Sequence, residues 1–181
     1  MPPIPSHTAV LDAMALTATA CDNPFSPAGP SLHSLHNNTG QADTGQVITK
    51  HYPLPDEVWM PDPLKALGYI ASLFESPFAP FVLGGLIPCD QFGIAFAFPA
   101  RTLTTDGVGQ ADLHLAAVDY EGGQYMVTSL RSHQPERTYH PPTGKQISGY
   151  VLDVLARLAA ANRRLHLDAC SSCSGSPDCS G

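Results

Sequence analysis

The sequence predicts an α+β fold, an antiparallel meander of three to four strands flanked by an N-terminal and a C-terminal amphipathic helix. Three observations predict it. The stretch FGIAFAF (92–98) alternates large and small side chains at the strand period of two. Two β-rich runs, ADLHLAAVDY and QYMVTSLR, lie on either side of Gly122-Gly123 as the arms of a hairpin do. Two segments, one opened by Asp62-Pro63 and one running ISGYVLDVLARLAAANRRL, carry apolar residues at helical period.

Residues 8–20 suit a short helix with Val10, Leu11, Met14 and Ala15 on one side, although so thin a face is marginal without packing. From 21 to 46 periodicity vanishes and breakers accumulate, which predicts a flexible linker carrying His33 and His36 without a rigid frame. Val47 to Tyr52 suit an edge strand, and prolines at 53, 55, 61 and 63 then impose extended or turn geometry. Trp59, the sole tryptophan, is expected to anchor the core.

Asp62 is a helix N-cap: its carboxylate accepts an unpaired N–H, and Pro63 at the first helical position gives up no bond. Leu64, Leu67, Ile70, Ala71 and Phe74 share the apolar face, and Ser76-Pro77 ends the helix. FVLGGLI suits a short strand or a helix end. The small residues Gly93, Ala95 and Ala97 let another element approach the next strand closely. With a two-residue turn, the hairpin register pairs Tyr120 with Tyr125, Val118 with Val127 and His114 with Arg131. The last helix bears Ile147, Tyr150, Val151, Val154, Leu155 and Leu158, with Arg157, Arg163 and Arg164 late enough to complement its dipole. The expected organisation is a flexible segment over 1–46, a compact domain over 47–166 and a flexible cysteine-rich tail over 167–181.

Composition narrows the function classes. The chain has 181 residues with a net charge of −7, and only 14% of its residues are charged. That weak acidity disfavours general nucleic-acid or anionic-membrane binding, which needs a cationic patch. Between Arg131 and Arg164 the bias reverses, with six Lys or Arg against Glu136 and Asp153. No apolar run approaches the roughly 20 residues a membrane span needs. AVLDAMALTATAC lacks a basic leader and is interrupted by Asp12, so it is not a secretion signal. The expected compartment is therefore the cytoplasm, where five cysteines, an odd number, do not make a disulfide framework.

GIAFAFPARTLTT, HLAAVDYEGGQYMVTSLR and VLDVLARLAAA occur in a strand–turn–strand–helix succession. In layout and composition, over about residues 58–160, this resembles small uncharacterised accessory proteins of actinobacterial phages and mobile elements. The resemblance implies a bacterial accessory protein and brings no activity or site residues with it.

Phosphate-loop, dinucleotide, zinc-protease and serine-hydrolase motifs are all missing from the sequence. His114 and Asp119, five residues apart, fall on opposite strand faces and do not form an acid–base pair. RSHQPERTYHPP offers an anion-binding set of Arg131, His133, Arg137 and His140, joined by Lys145, since guanidinium and imidazolium both donate to oxyanions. The tail HLDACSSCSGSPDCSG supplies His166, Cys170, Cys173 and Cys179 as a Zn²⁺ set built on a Cys-x2-Cys knuckle. Its position beyond the expected helix end leaves that set without a scaffold. The leading expectation is a non-catalytic accessory or regulatory protein with a protein partner. A small enzyme or anionic-ligand sensor using the His/Arg loop comes second. A nucleic-acid-associated factor using the basic helix comes third.

Overall fold

The computed structural model describes residues 3–21, 29–38, 46–83, 87–103, 109–129 and 135–173; the side chains of 21, 100–103, 109–112 and 168–173 fall outside the description. Six strands form one antiparallel sheet in the order β2-β1-β3-β4-β5-β6. They span Ser31–Asn37 (β1), Val47–His51 (β2), Gln91–Leu103 (β3), Gly109–Asp119 (β4), Gln124–Ser129 (β5) and Glu136–His140 (β6). Four helices accompany them: α1 His7–Cys21, α2 Pro63–Glu75, α3 Ala79–Leu83 and α4 Tyr150–Cys173. The α+β class and the antiparallel sheet match expectation, but the strand count is six rather than three to four.

Helices cover both faces of the sheet. On one face Leu32, Ile94, Phe96, Ala116 and Val118 pack with α2, α4 and Trp59, and Trp59 meets Phe96 at 5.4 Å between ring centroids. On the other, Val10, Met14 and Ala18 of α1 lie on Ala95, Ala97, Ala117, Leu115 and Val127. The small-residue side of β3 thus receives α1, whose thin apolar stripe is enough because the sheet under it is flat with alanines. Phe92 departs from the expected alternation. Pairing steps from Leu35↔Gly93 to His36↔Gln91, and Phe92, unpaired at that irregularity, packs with the α1 cluster.

Residues 31–37, expected as linker, form β1 in the sheet interior between β2 and β3. Hydropathy hides this strand because Ser31, His33, Ser34 and His36 are buried alongside Leu32 and Leu35. Their polar atoms bond to one another at i, i+2, the side-chain repeat on one strand face: Ser31 Oγ to His33 Nε2 at 2.9 Å and Ser34 Oγ to His36 Nε2 at 2.7 Å. The Val47–His51 edge strand and the Asp62 cap follow expectation, with Asp62 Oδ1 accepting from the backbone N–H of Leu64 and Lys65. Helix α4 runs well past the expected end, through Cys173, so its three arginines sit mid-helix and not beside the C-terminal dipole. Arg157 bonds Glu75 of α2 instead, and Arg163 Nη1 donates to the Tyr120 carbonyl.

The hairpin register differs from expectation by three: Ala117 faces Tyr125, Leu115 faces Val127 and His114 faces Thr128. The loop holds three residues, Tyr120 to Gly122, because Gly122 takes φ +93°, a conformation open to glycine. Asp119 organises the turn. Its Oδ1 accepts from the N–H of Glu121 and Gly123, both at 2.8 Å, and its Oδ2 accepts from the Tyr125 hydroxyl at 2.7 Å. Asp119→Ala strands three donors, two of them buried, and is expected to lower unfolding free energy by about 3 kcal/mol or more. Denaturant titration checks this, and a loss below about 1 kcal/mol, the worth of a single bond, would refute the assigned role.

Candidate functional site

Of the expected anion set, Arg137, His140 and Lys145 lie among the described residues. Arg131 and His133 lie outside the described residues. Arg137 and His140, three apart on β6, project to opposite faces. Arg137 is engaged by Asp12 of α1, and that ion pair lines an open cleft with Ala15, Leu16, Thr19 and Pro135. His140 Nδ1 donates to the carbonyl of Lys145 at 3.2 Å, so Lys145 contributes backbone to this contact. His114 pairs with Thr128 and stacks on Phe98, whereas Asp119 is taken up by the turn; the two form no acid–base couple.

Sequence reasoning missed a polar array where β1, β2 and the turn before β3 meet. Asp90 Oδ1 lies 3.0 Å from His36 Nδ1, and Lys50 Nζ lies 3.7 Å from Asp90 Oδ2. Burial holds the His36 imidazole below its usual range, against the hydrogen bond and charge of Asp90, so it is neutral at pH 7. For Asp90, burial pulls upward, but the hydrogen bond from His36 and the nearby positive charge outweigh it, so the carboxyl sits below its usual range and is ionised. The carboxylate therefore accepts from Nδ1–H, Nε2 is bare, and Ser34 Oγ–H donates to it. This is the hydrogen-bond polarity of an Asp–His–Ser nucleophile relay. Ser34 and His36, however, are 6% and 1% exposed, which gives a substrate no approach to the hydroxyl. What the array does is satisfy buried polar atoms. The Lys50 carbonyl, 3.3 Å from Ser34 Oγ, offers the serine a second acceptor across the β1–β2 ladder. The signal available in sequence was the pair of Ser-x-His repeats, S-L-H and S-L-H, over 31–36.

A second feature is apolar. Tyr69 and Leu73 project from α2, and Phe78, Phe81 and Val82 from the α2–α3 turn and α3, with exposures of 72%, 65%, 71%, 89% and 68%. Tyr69 and Leu73, four apart, share a face of α2 away from the buried Leu67, Ile70 and Phe74, and α2 touches α3, which carries Phe81 and Val82. Met60 and Leu64 extend the apolar surface toward the start of α2.

The expected metal set is recast by α4. Cys170 and Cys173 stand on continuous helix, so Cys-x2-Cys is a helical i, i+3 pair and not a knuckle; their side chains, and Cys179 altogether, lie outside the described residues. His166 is buried against Tyr120. Among the described residues no group of three or more His, Cys, Asp or Glu is placed to hold a metal ion, and no helix is long and apolar enough to cross a membrane. No family model matches the chain, and no curated protein and no solved structure matches it either.

The buried histidines predict the pH response. Burial, then the facing His51, lowers the His33 imidazole to about 4, and His36 shifts the same way. Between the unfolded value near 6.5 and the folded value, the unfolded chain binds more protons, so stability is full above pH 6.5 and falls as pH drops toward 4. The melting temperature is expected to decline across that window and to decline less steeply in His33→Leu. Equal slopes in the two proteins would contradict the assignment.

Proposed function

We propose that this chain is a non-catalytic accessory or regulatory protein that binds another protein through the outer face of α2 and α3. The observation that carries the reading is the cluster Tyr69, Leu73, Phe78, Phe81 and Val82. At about 200 Å² for a full large side chain, their exposures sum to roughly 700 Å² of apolar surface. That exceeds the few hundred Å² of the largest apolar patch on an ordinary monomer and approaches the roughly 800 Å² each partner buries in a standard interface. Two phenylalanines and a tyrosine are the residue types that anchor such interfaces.

Less supports the other two readings. An anion sensor has its arginine at 137 already neutralised by Asp12. A nucleic-acid factor has Arg157 paired with Glu75 and Arg163 on a carbonyl. The phage-like resemblance agrees with an accessory role, in which binding a host or element-encoded protein is the activity.

The test uses the full-length chain as bait against the Phe78→Ser/Phe81→Ser double variant. Both side chains are solvent-exposed, so the melting temperature is expected to stay within a few degrees. A stoichiometric partner is expected to be retained by the parent chain and lost, at least tenfold in affinity (about 1.4 kcal/mol), by the variant. Equal retention by both proteins would remove the α2–α3 face from the proposal.

A further inference from the structure

At the β2 edge of the sheet two histidines stand opposite each other across the β1–β2 ladder. His33 and His51 are register partners, and their rings lie 5.3 Å apart between centroids at 69° to each other. Directly opposite residues of an antiparallel pair point to the same face of the sheet. That face is the one α1 covers: Thr49, two residues before His51, meets Thr17 of α1 at 2.6 Å between hydroxyl oxygens. The two rings differ in freedom. His33 is buried, and its Nε2 is taken by Ser31 Oγ at 2.9 Å, which leaves Nδ1 as the nitrogen for a ligand. His51 is exposed, and its ring has no hydrogen-bond partner among the described residues.

We propose that His33 and His51 together bind one divalent transition-metal ion of the Zn²⁺ type and so clamp the edge strand β2 to β1. The ring spacing carries the proposal. With Zn–N bonds of about 2.0–2.1 Å and a tetrahedral angle, two imidazoles on one ion have ring centres roughly 5 Å apart. The rings already stand 5.3 Å apart, so the strands need not move for both to reach one ion. The contact with Ser31 is the outer support that sets the tautomer and aims the ring of a ligating histidine. Imidazole nitrogen suits Zn²⁺, Ni²⁺ and Cu²⁺, whereas Mg²⁺ and Ca²⁺ take oxygen ligands. Two protein ligands leave the remaining positions to water, so this is an open, exchangeable site and not a closed structural one. The exposed His51 side gives the ion its way in. Ion and proton compete for the same nitrogens, and binding weakens as pH falls. The pair lies on the α1 face, whereas α2 packs on the other, and neither this proposal nor the α2–α3 surface depends on the other.

The experiment titrates Zn²⁺ into the full-length chain and into His51→Ala at neutral pH. Native mass spectrometry counts bound ions, and hydrogen exchange follows the β2 amides. Zinc held by thiols is common to both proteins, so the difference isolates the histidine pair. At the Zn²⁺ concentration that saturates the parent, His51→Ala is expected to hold one ion fewer. Its affinity for that ion is expected to fall at least about tenfold, the lower range for losing even an outer-shell partner. His33→Leu is expected to repeat the loss. His7→Ala, whose ring stacks on Tyr139 of the opposite edge strand, is expected to keep parental binding, with circular dichroism confirming that all three variants are folded. Zn²⁺ is expected to slow exchange of the β2 amides severalfold in the parent and not in His51→Ala, and Mg²⁺ to slow it in neither. Equal ion counts and affinities in the parent and His51→Ala would overturn the proposal, as would β2 exchange in the parent indifferent to Zn²⁺. Loss of the same ion in His7→Ala would mark adventitious binding to surface imidazoles and overturn it equally.

Discussion

The bond between Ser34 Oγ and His36 Nε2, with Asp90 behind the imidazole, is the interaction on which the sheet depends. β1 occupies the interior of a six-stranded sheet, and four of its seven residues are buried serine or histidine. A buried polar atom without a partner costs about 1–3 kcal/mol, so four unpaired side chains would consume most of a small domain's stability. The i, i+2 pairing removes that penalty on both faces at once: Ser34–His36–Asp90 on one, Ser31–His33 on the other. β2 reaches the rest of the sheet only through β1, so the edge strand and its Lys50 depend on the same bonds.

With β1 in place, the two faces solve different packing problems. The α2/α4 face uses large side chains such as Ile94, Phe96, Leu155 and Leu158 to fill the depth between sheet and helices. The α1 face uses Ala95, Ala97 and Ala117, which lets a helix with few large residues lie close enough to bury Val10 and Met14 completely. α1 is thus part of the folded unit despite its weak intrinsic pattern. Most of its stability comes from tertiary contact and little from propensity.

The sequence disclosed the elements whose pattern comes from burial on one side. The Asp62 cap, the α2 stripe and the Val47–His51 edge strand are local signals that the structure follows, except that Leu64, expected on the stripe, is exposed. β1 was illegible because a strand covered on both faces has no alternation, and its polarity suggested a linker until its side-chain partners were known. The hairpin register slipped by three because Asp119 gathers Glu121, Gly123 and Tyr125 into a three-residue loop, which Gly122-Gly123 alone does not reveal. The candidate sites were less legible still. Asp90 lies 54 residues from His36, so that contact has no local spacing to betray it.

α2 is where the needs of the fold and the proposed binding role diverge. Its inner face already buries Leu67, Ile70, Ala71 and Phe74, so the core needs nothing from Tyr69 and Leu73. A helix selected only for folding would place charge there, as Lys65 and Glu75 do at its ends, because exposed apolar residues add aggregation risk and no stability. α3 repeats the excess: Ala79 is its buried residue, whereas Phe81 and Val82 face water. The most exposed of these side chains stand on two touching helices and the turn between them, and the α1 side of the sheet has only Leu16 comparably exposed among the described residues. Apolar area that the core does not use is the ground of the proposal that a second protein covers it.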